Sequence, residues 1–173
     1  YQRLSITLIG IGSGVTYAPQ GVTHYAVEDI AIVRTLPNLV ILSPADPVES
    51  EKCAGFALES KLPVYIRVAK SGETIIHKHG AEDITKPLVV SQGKQVAVLF
   101  HGSIGVEVIK AIEDMKKHPK VISIPMIQPL DFRCLLERLG GIRSLITVEE
   151  HFREGGLGTV ISEWLTKEKL PFK

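Results

Sequence analysis

His24 is the side chain best placed to do chemistry in this chain. It closes the turn Gly21-Val22-Thr23-His24, and an apolar-periodic helix pattern follows over 25–36, where Glu28 and Asp29 suit the positive end of a helix dipole. A strand pattern over 5–12 comes before the turn, so the imidazole falls beside a helix N-terminus near a strand end. Open α/β sheets bind ligands along that edge. An imidazole there can donate a hydrogen bond to a developing alkoxide or relay a proton near neutral pH. The plainer use of a lone histidine at a helix start is to satisfy local backbone groups.

Other patterns say less. Gly10-x-Gly12-x-Gly14 follows a strand, but its third glycine is misplaced for a dinucleotide fingerprint, and no acid ends the second strand at the expected distance. Glu149, Glu150 and His151 run into Gly155-Gly156-Leu157-Gly158. That stretch could form an anion nest, yet reads better as a close-packed loop whose acids are solvated or face a partner subunit. His77 and His79 alternate with no third ligand nearby and are expected to be exposed, while His101 and His118 fit no motif. Cys53 and Cys134 lie inside apolar helical patterns without metal spacing, as buried thiols do in a reducing cytoplasm. Trp164 is expected in the core.

These side chains need a scaffold, and the sequence spells out an alternating one. Strands are predicted at 5–12, 39–42 and 62–68, the first buried on both faces, with helices at 25–36 and 46–60. The second helix has a clear start: Asp46 can cap, Pro47 suits the first helical position, and Glu49 completes a capping box. Residues 71–94 lose periodicity and are punctuated by Gly72, Gly80, Pro87 and Gly93, the composition of a linker with room for one hairpin. Alternation then resumes with strands at 95–100, 121–124 and 144–148. Helices are predicted at 103–117, 131–139 and 159–166, with Ser103 and Asp131 at helix starts and Gly140-Gly141 as a stop. The expected fold class is therefore α/β, with two mostly parallel-sheet, three-layer units at 1–70 and 95–173. The 173 residues carry 20 basic and 19 acidic side chains, net +1, with 45% apolar residues. That is a globular chain without the basic stripe that nucleic acid or membrane partners require. The densest basic cluster, Lys116, Lys117 and Lys120, suits a solvated helix end.

Gly21-x-Thr23-His24, Glu28-Asp29, Pro37-Asn38 and Pro44-Ala45-Asp46 stand in an order that resembles the pyrimidine-binding domain of the transketolase family. The second half is similar to the transketolase C-terminal domain. The features shared with it are a Q-V-A-V strand at 95–98 followed by His101-Gly102-Ser103, the turn Gln128-Pro129-Leu130-Asp131, and Thr147-Val148-Glu149-Glu150-His151 before the glycines. The resemblance implies the end of a pyrimidine-binding domain plus a whole C-terminal domain. Such a section would belong to an enzyme that transfers a two-carbon ketol unit between sugars on thiamine diphosphate and Mg2+. It implies that His24 is catalytic and faces the substrate hydroxyls. Gln20 would contact a substrate hydroxyl where many transketolases use Asp, and Arg67 would grip an acceptor phosphate through its fork of donors. A second histidine that sugar-phosphate transketolases carry before the turn has no counterpart among Gly10, Gly12, Ser13 and Gly14.

The family's activating glutamate and its diphosphate-binding domain would lie upstream of Tyr1, so the chain is expected to be inactive alone. The implied partners are a second copy, as a homodimer with the 151–158 loop near the shared surface, and a cofactor-binding N-terminal section. The rival readings are the β subunit of a 2-oxoacid dehydrogenase and a non-catalytic assembly module of the same fold.

Overall fold

The computed structural model describes residues 4–70, 72–78 and 80–172. Its elements run β1 (Thr7–Ile11), α1 (Asp29–Val33), β2 (Val40–Leu42), α2 (Pro47–Glu59), β3 (Val64–Val68), β4 (Leu88–Ser91) and β5 (Gln95–Phe100). They continue with α3 (Gly105–Glu113), β6 (Lys120–Ser123), β7 (Met126–Gln128), α4 (Phe132–Arg138), β8 (Ile142–Val148) and α5 (Leu157–Lys167). The strands form two four-stranded sheets, ordered β1-β3-β2-β7 and β4-β6-β5-β8. In the first, β1, β3 and β2 are parallel, Thr7 and Val40 both lying opposite Val64. In the second, β6, β5 and β8 are parallel. Each sheet ends on one antiparallel strand, β7 on β2 and β4 on β6. The α/β class with two mostly parallel sheets is as the alternation predicts. Among the described residues, no helix is long and apolar enough to cross a membrane.

Local chemistry explains the best-defined helices. Asp46 accepts a hydrogen bond from Glu49 N at 2.8 Å and Pro47 opens α2, so an orphan amide is satisfied and none is lost at the proline. Asp131 does the same for α4 through Cys134 N, at 2.8 Å. The Glu49 carboxylate passes over the cap residue and accepts from Ala45 N at 2.7 Å, a shifted version of the expected box. Ser103 does not cap α3; the residue before that helix is Ile104, with no side-chain cap bond.

Several expectations need correction. The 25–36 helix shrinks to α1, because the chain before Asp29 is held in a loop by the bridge between Gly14 and Ala26. The 71–94 stretch contains β4, whose pairing with β6 makes it part of the second sheet. β7 is too short to leave a pattern in the sequence, and it carries the second half of the chain into the first sheet. β1 is not buried on both faces: it stands at the sheet edge with Ile9 61% and Ile11 66% exposed.

The main core therefore ignores the division of the sequence. Ile30, Leu39 and Ile41 from the first half pack in one cluster with Leu99, Ile122, Leu135, Leu157 and Trp164 from the second. Each fully buried aliphatic side chain of this kind contributes about 1.5–3 kcal/mol. Trp164 lies in that core as expected, stacked on Phe132 with ring centroids 5.1 Å apart.

Candidate functional site

The loop between β1 and α1 begins where the strand ends. Gly12 N and Ser13 N both donate to Val68 O, at 2.9 and 3.0 Å, which seats the loop on the C-terminal end of β3. Gly14 then pairs with Ala26 through two backbone hydrogen bonds of 3.0 and 2.9 Å, closing the excursion that holds Gln20 and His24. Gly14 has φ of +62° and a Cβ there would meet the Glu150 side chain at 2.5 Å, so glycine is required on both counts. Within the excursion, two 3-10 turns, Ala18–Gln20 and Val22–His24, meet at Gly21.

Gln20 and His24 are both exposed on this loop, and His24 Nδ1 lies 3.1 Å from Thr23 Oγ1. If the hydroxyl donates to Nδ1, Nε2 carries the proton and can donate it outward.

Arg67 lies beneath the loop and not on its face. It is 2% exposed, and its Nε donates to both oxygens of Asp29, at 2.9 and 3.2 Å. Its Nη2 donates to Ala26 O at 2.7 Å and to Glu150 O at 2.9 Å. Tyr65 completes the cluster by donating from its hydroxyl to Asp29 at 2.8 Å; burial and the Asp29 carboxylate push that phenol up. Most of the fork is thus spent on fastening the root of the loop to α1 and to the end of β8. A strand-end cation that does remain exposed is Lys70, whose Nζ lies 5.6 Å from the centre of the Tyr17 ring on the same loop.

Beside Arg67, the ends of β2, β5 and β8 meet in a second polar line. His101 is wholly buried, with Nδ1 2.9 Å from Ser43 Oγ and Nε2 3.3 Å from Glu149 Oε2. Burial pushes the imidazole down and favours the neutral ring, which with its proton on Nε2 donates to the carboxylate. Glu149 accepts from Leu157 N at 2.7 Å and Gly158 N at 2.8 Å, serving α5 as a cap contributed by another element. Burial works against the Glu149 charge, but His101 and these two amides hold its carboxyl below the usual range. The order serine–histidine–acid suggests a nucleophile, yet Ser43 is fully buried and the acid is committed to helix amides. The line is a strut between the two sheets.

The sequence reading thus misses Asp29, His101 and Glu149 as positioning groups, and Glu149 is not solvated. The spacing of Glu149 ahead of Gly156-Leu157-Gly158 is the available signal for the cap. His77 is also not exposed; its ring is 8% exposed and packed on Asp46 and Glu49. His79 lies outside the described residues. Two cavities of the described residues lie away from Gln20 and His24, one beside Arg34 and Trp164 and another beside Ile76 and Ile109. Asp29, at the start of α1, is taken up by Arg67 and Tyr65. The loop does not by itself fit a whole thiamine diphosphate.

Two family models match the chain: the transketolase pyrimidine binding domain over residues 1–72 and the transketolase C-terminal domain over residues 86–173. One of the subunits of the apulose-4-phosphate transketolase of Actinobacillus succinogenes is 28% identical over 175 residues, covering 99% of this chain and 56% of that protein. Transketolase of Homo sapiens is 30% identical over 172 residues, covering 95% of this chain and 27% of that protein. A solved structure described as a split gene transketolase, inactive beta4 tetramer, matches with a TM-score of 0.82 at 26% identity, covering 94% of this chain and 53% of that one. The chain spans 55–57% of the length of the curated relatives that it matches first.

Proposed function

The chain belongs to the transketolase family, and from that premise we propose that it works as the C-terminal section of a split, thiamine-diphosphate-dependent transketolase. The complete assembly transfers a two-carbon ketol unit from a ketose to an aldose, free or phosphorylated. A complementary section supplies most of the thiamine diphosphate and Mg2+ site, and the bound cofactor supplies the carbanion chemistry. The observation that carries this reading is the exposed Gln20–His24 loop, which follows the C-terminal end of β1 in a chain whose two halves match transketolase domains. His24 donates a hydrogen bond or relays a proton at the substrate hydroxyls, and Gln20 contacts a hydroxyl as both donor and acceptor. In this reading the chain divides into units at 1–70 and 95–173, with 71–94 between them as a connector that gives β4 to the second. The section pairs with itself as a two-fold dimer, the 151–158 loop with its exposed Phe152 lying at or beside the shared surface. It works in a reducing cytoplasm, where Cys53 and Cys134 stay free. That a similar split-gene structure is described as inactive supports the view that this section needs its complement.

The test is reconstitution with a complementary section, thiamine diphosphate and Mg2+, followed by assays for ketol transfer and for 2-oxoacid decarboxylation. Transfer is expected; decarboxylation alone would favour a 2-oxoacid dehydrogenase β subunit, and no activity in any combination an assembly module. In the active assembly, His24→Ala is expected to lower turnover roughly ten- to thousandfold with unchanged melting, the range for one lost donor or proton relay. Wild-type kinetics would return His24 to a local structural role.

A further inference from the structure

A second cluster of buried ionisable groups lies away from the His24 loop, where the 72–78 connector meets the start of α2. Asp46 is fully engaged there. Its Oδ1 accepts from Glu49 N at 2.8 Å, and its Oδ2 from Ile76 N at 2.8 Å, His77 N at 2.9 Å and His77 Nδ1 at 3.2 Å. Glu49 uses Oε2 to accept from Ala45 N. One edge is left unfinished: Glu49 Oε1 and His77 Nε2 lie 3.4 Å apart, both buried and neither with a hydrogen-bond partner. Buried polar atoms are nearly always paired. A single proton on this edge satisfies both atoms at once, whether it sits on the imidazole or on the carboxyl.

We propose that Asp46, Glu49 and His77 form a proton-holding latch, which fastens the connector between the two units onto α2 and releases it when the shared proton leaves. With the proton bound, the cluster carries one negative charge; without it, two carboxylates are buried around a neutral ring. The other groups facing the cluster compensate only in part, through the Ala45 amide and the nearby Ser123. Cys53, from the next turn of α2, is kept neutral by burial and by Glu49, and Ser123 on β6 lies beside the Glu49 carboxyl without completing a hydrogen bond. Among the described residues no lysine or arginine makes an ion pair with the three.

The direction follows from the groups themselves. Burial pushes Glu49 up to about 7. Burial opposes the charge on His77, but the Asp46 hydrogen bond and the two carboxylates outweigh it and raise the imidazole above its usual 6.5. Both shifts favour the proton-bound latch at low pH, and the latch weakens as pH rises from the ordinary Glu range through about 7 and above. Asp46 works the other way only in strong acid, since its hydrogen bonds outweigh its burial and hold it far below 3.8. The latch also positions Ile76, which packs with Phe100 and Ile104 in the core at the start of α3; a Cβ on Gly105 would lie 2.9 Å from its Cδ1. Opening it therefore loosens the connector against the second unit.

Hydrogen exchange of the Ile76 and His77 amides, corrected for intrinsic rates, tests this on the full chain between pH 5.5 and 9. Protection is expected to fall at least tenfold over that range, since one proton held a unit above its free value corresponds to a factor of about ten. Glu49→Gln keeps the acceptor for Ala45 and supplies an N–H to His77 Nε2, so its protection should stay flat across the range. If that variant does not fold, His77→Gln serves as the second: its pH dependence should shrink to what the Glu49 carboxyl alone contributes. Flat protection in the parent chain, or an undiminished pH dependence in the folded variant, overturns the latch.

Discussion

At the residue scale, Arg67 and Lys70 lie near one loop in different settings. A guanidinium with Nε on Asp29 and Nη2 on two carbonyls cannot turn outward without leaving a partly buried carboxylate unpaired. Removing one partner of such a pair costs about 3–5 kcal/mol, and the 17% exposure of Asp29 argues for the lower end. Arg67→Ala is therefore expected to act on stability, lowering the denaturation midpoint and freeing the loop root at Ala26. Lys70 sits differently, exposed three residues further on and near Tyr17. In the reconstituted assembly, Lys70→Ala should leave melting unchanged and raise KM for a phosphorylated acceptor over its unphosphorylated counterpart. A loss confined to phosphorylated acceptors in a stably folded Arg67 variant would restore the phosphate grip to Arg67.

At the scale of elements, α5 owes its start to another part of the chain. Its first residues are glycine-rich and no side chain of its own caps it, so two amides rely on Glu149 from the end of β8. Glu149→Ala removes these bonds and leaves buried His101 Nε2 unpaired, at an expected cost of about 2–4 kcal/mol. For a chain of this length that is a fall in Tm of roughly 5–12 °C. Calorimetry of Glu149→Ala beside Glu149→Gln, which keeps one acceptor and should lose less, is the check. Equal losses would show that packing at Gly156 and not capping holds the helix. Acid should weaken the same line. His101 and Glu149 both have folded values held below their ordinary ones, so their stabilisation is present at neutral pH and lost as pH falls, from 6.5 downward for His101 and below 4.5 for Glu149. These elements also show what the sequence could reveal. Caps at Asp46 and Asp131 act over three residues and leave a local pattern, so α2 and α4 are legible. The Glu149 cap, the β7 pairing and the burial of His101 depend on groups 8 to 87 residues apart, which periodicity cannot report. The exposure of β1 escapes for the opposite reason: its apolar run is that of a buried strand, but among the described strands β3 alone pairs with it.

At the scale of the molecule, the two halves are joined too closely to unfold separately. β7 leaves the second half to pair with β2, and the main core draws Ile30, Leu39 and Ile41 from the first half and Leu99, Leu135 and Trp164 from the second. Arg67 adds a hydrogen bond to Glu150 O, and Ser43 one to His101, across the same boundary. From sequence alone, residues from about 91 onward should close their own core. The structure changes that expectation, because excision there would cut β4 at its last residue and leave β7 without β2. We expect the chain to melt in one cooperative transition, with near-ultraviolet dichroism of Trp164 and far-ultraviolet dichroism giving the same midpoint. Ile41→Ala, in the first sheet, should lower that midpoint for both probes alike, because a core truncation of about 2–5 kcal/mol is felt by everything that unfolds with it. A Trp164 transition that stays in place while the far-ultraviolet signal moves would mean that the second sheet stands alone, and that the shared core couples the halves only weakly.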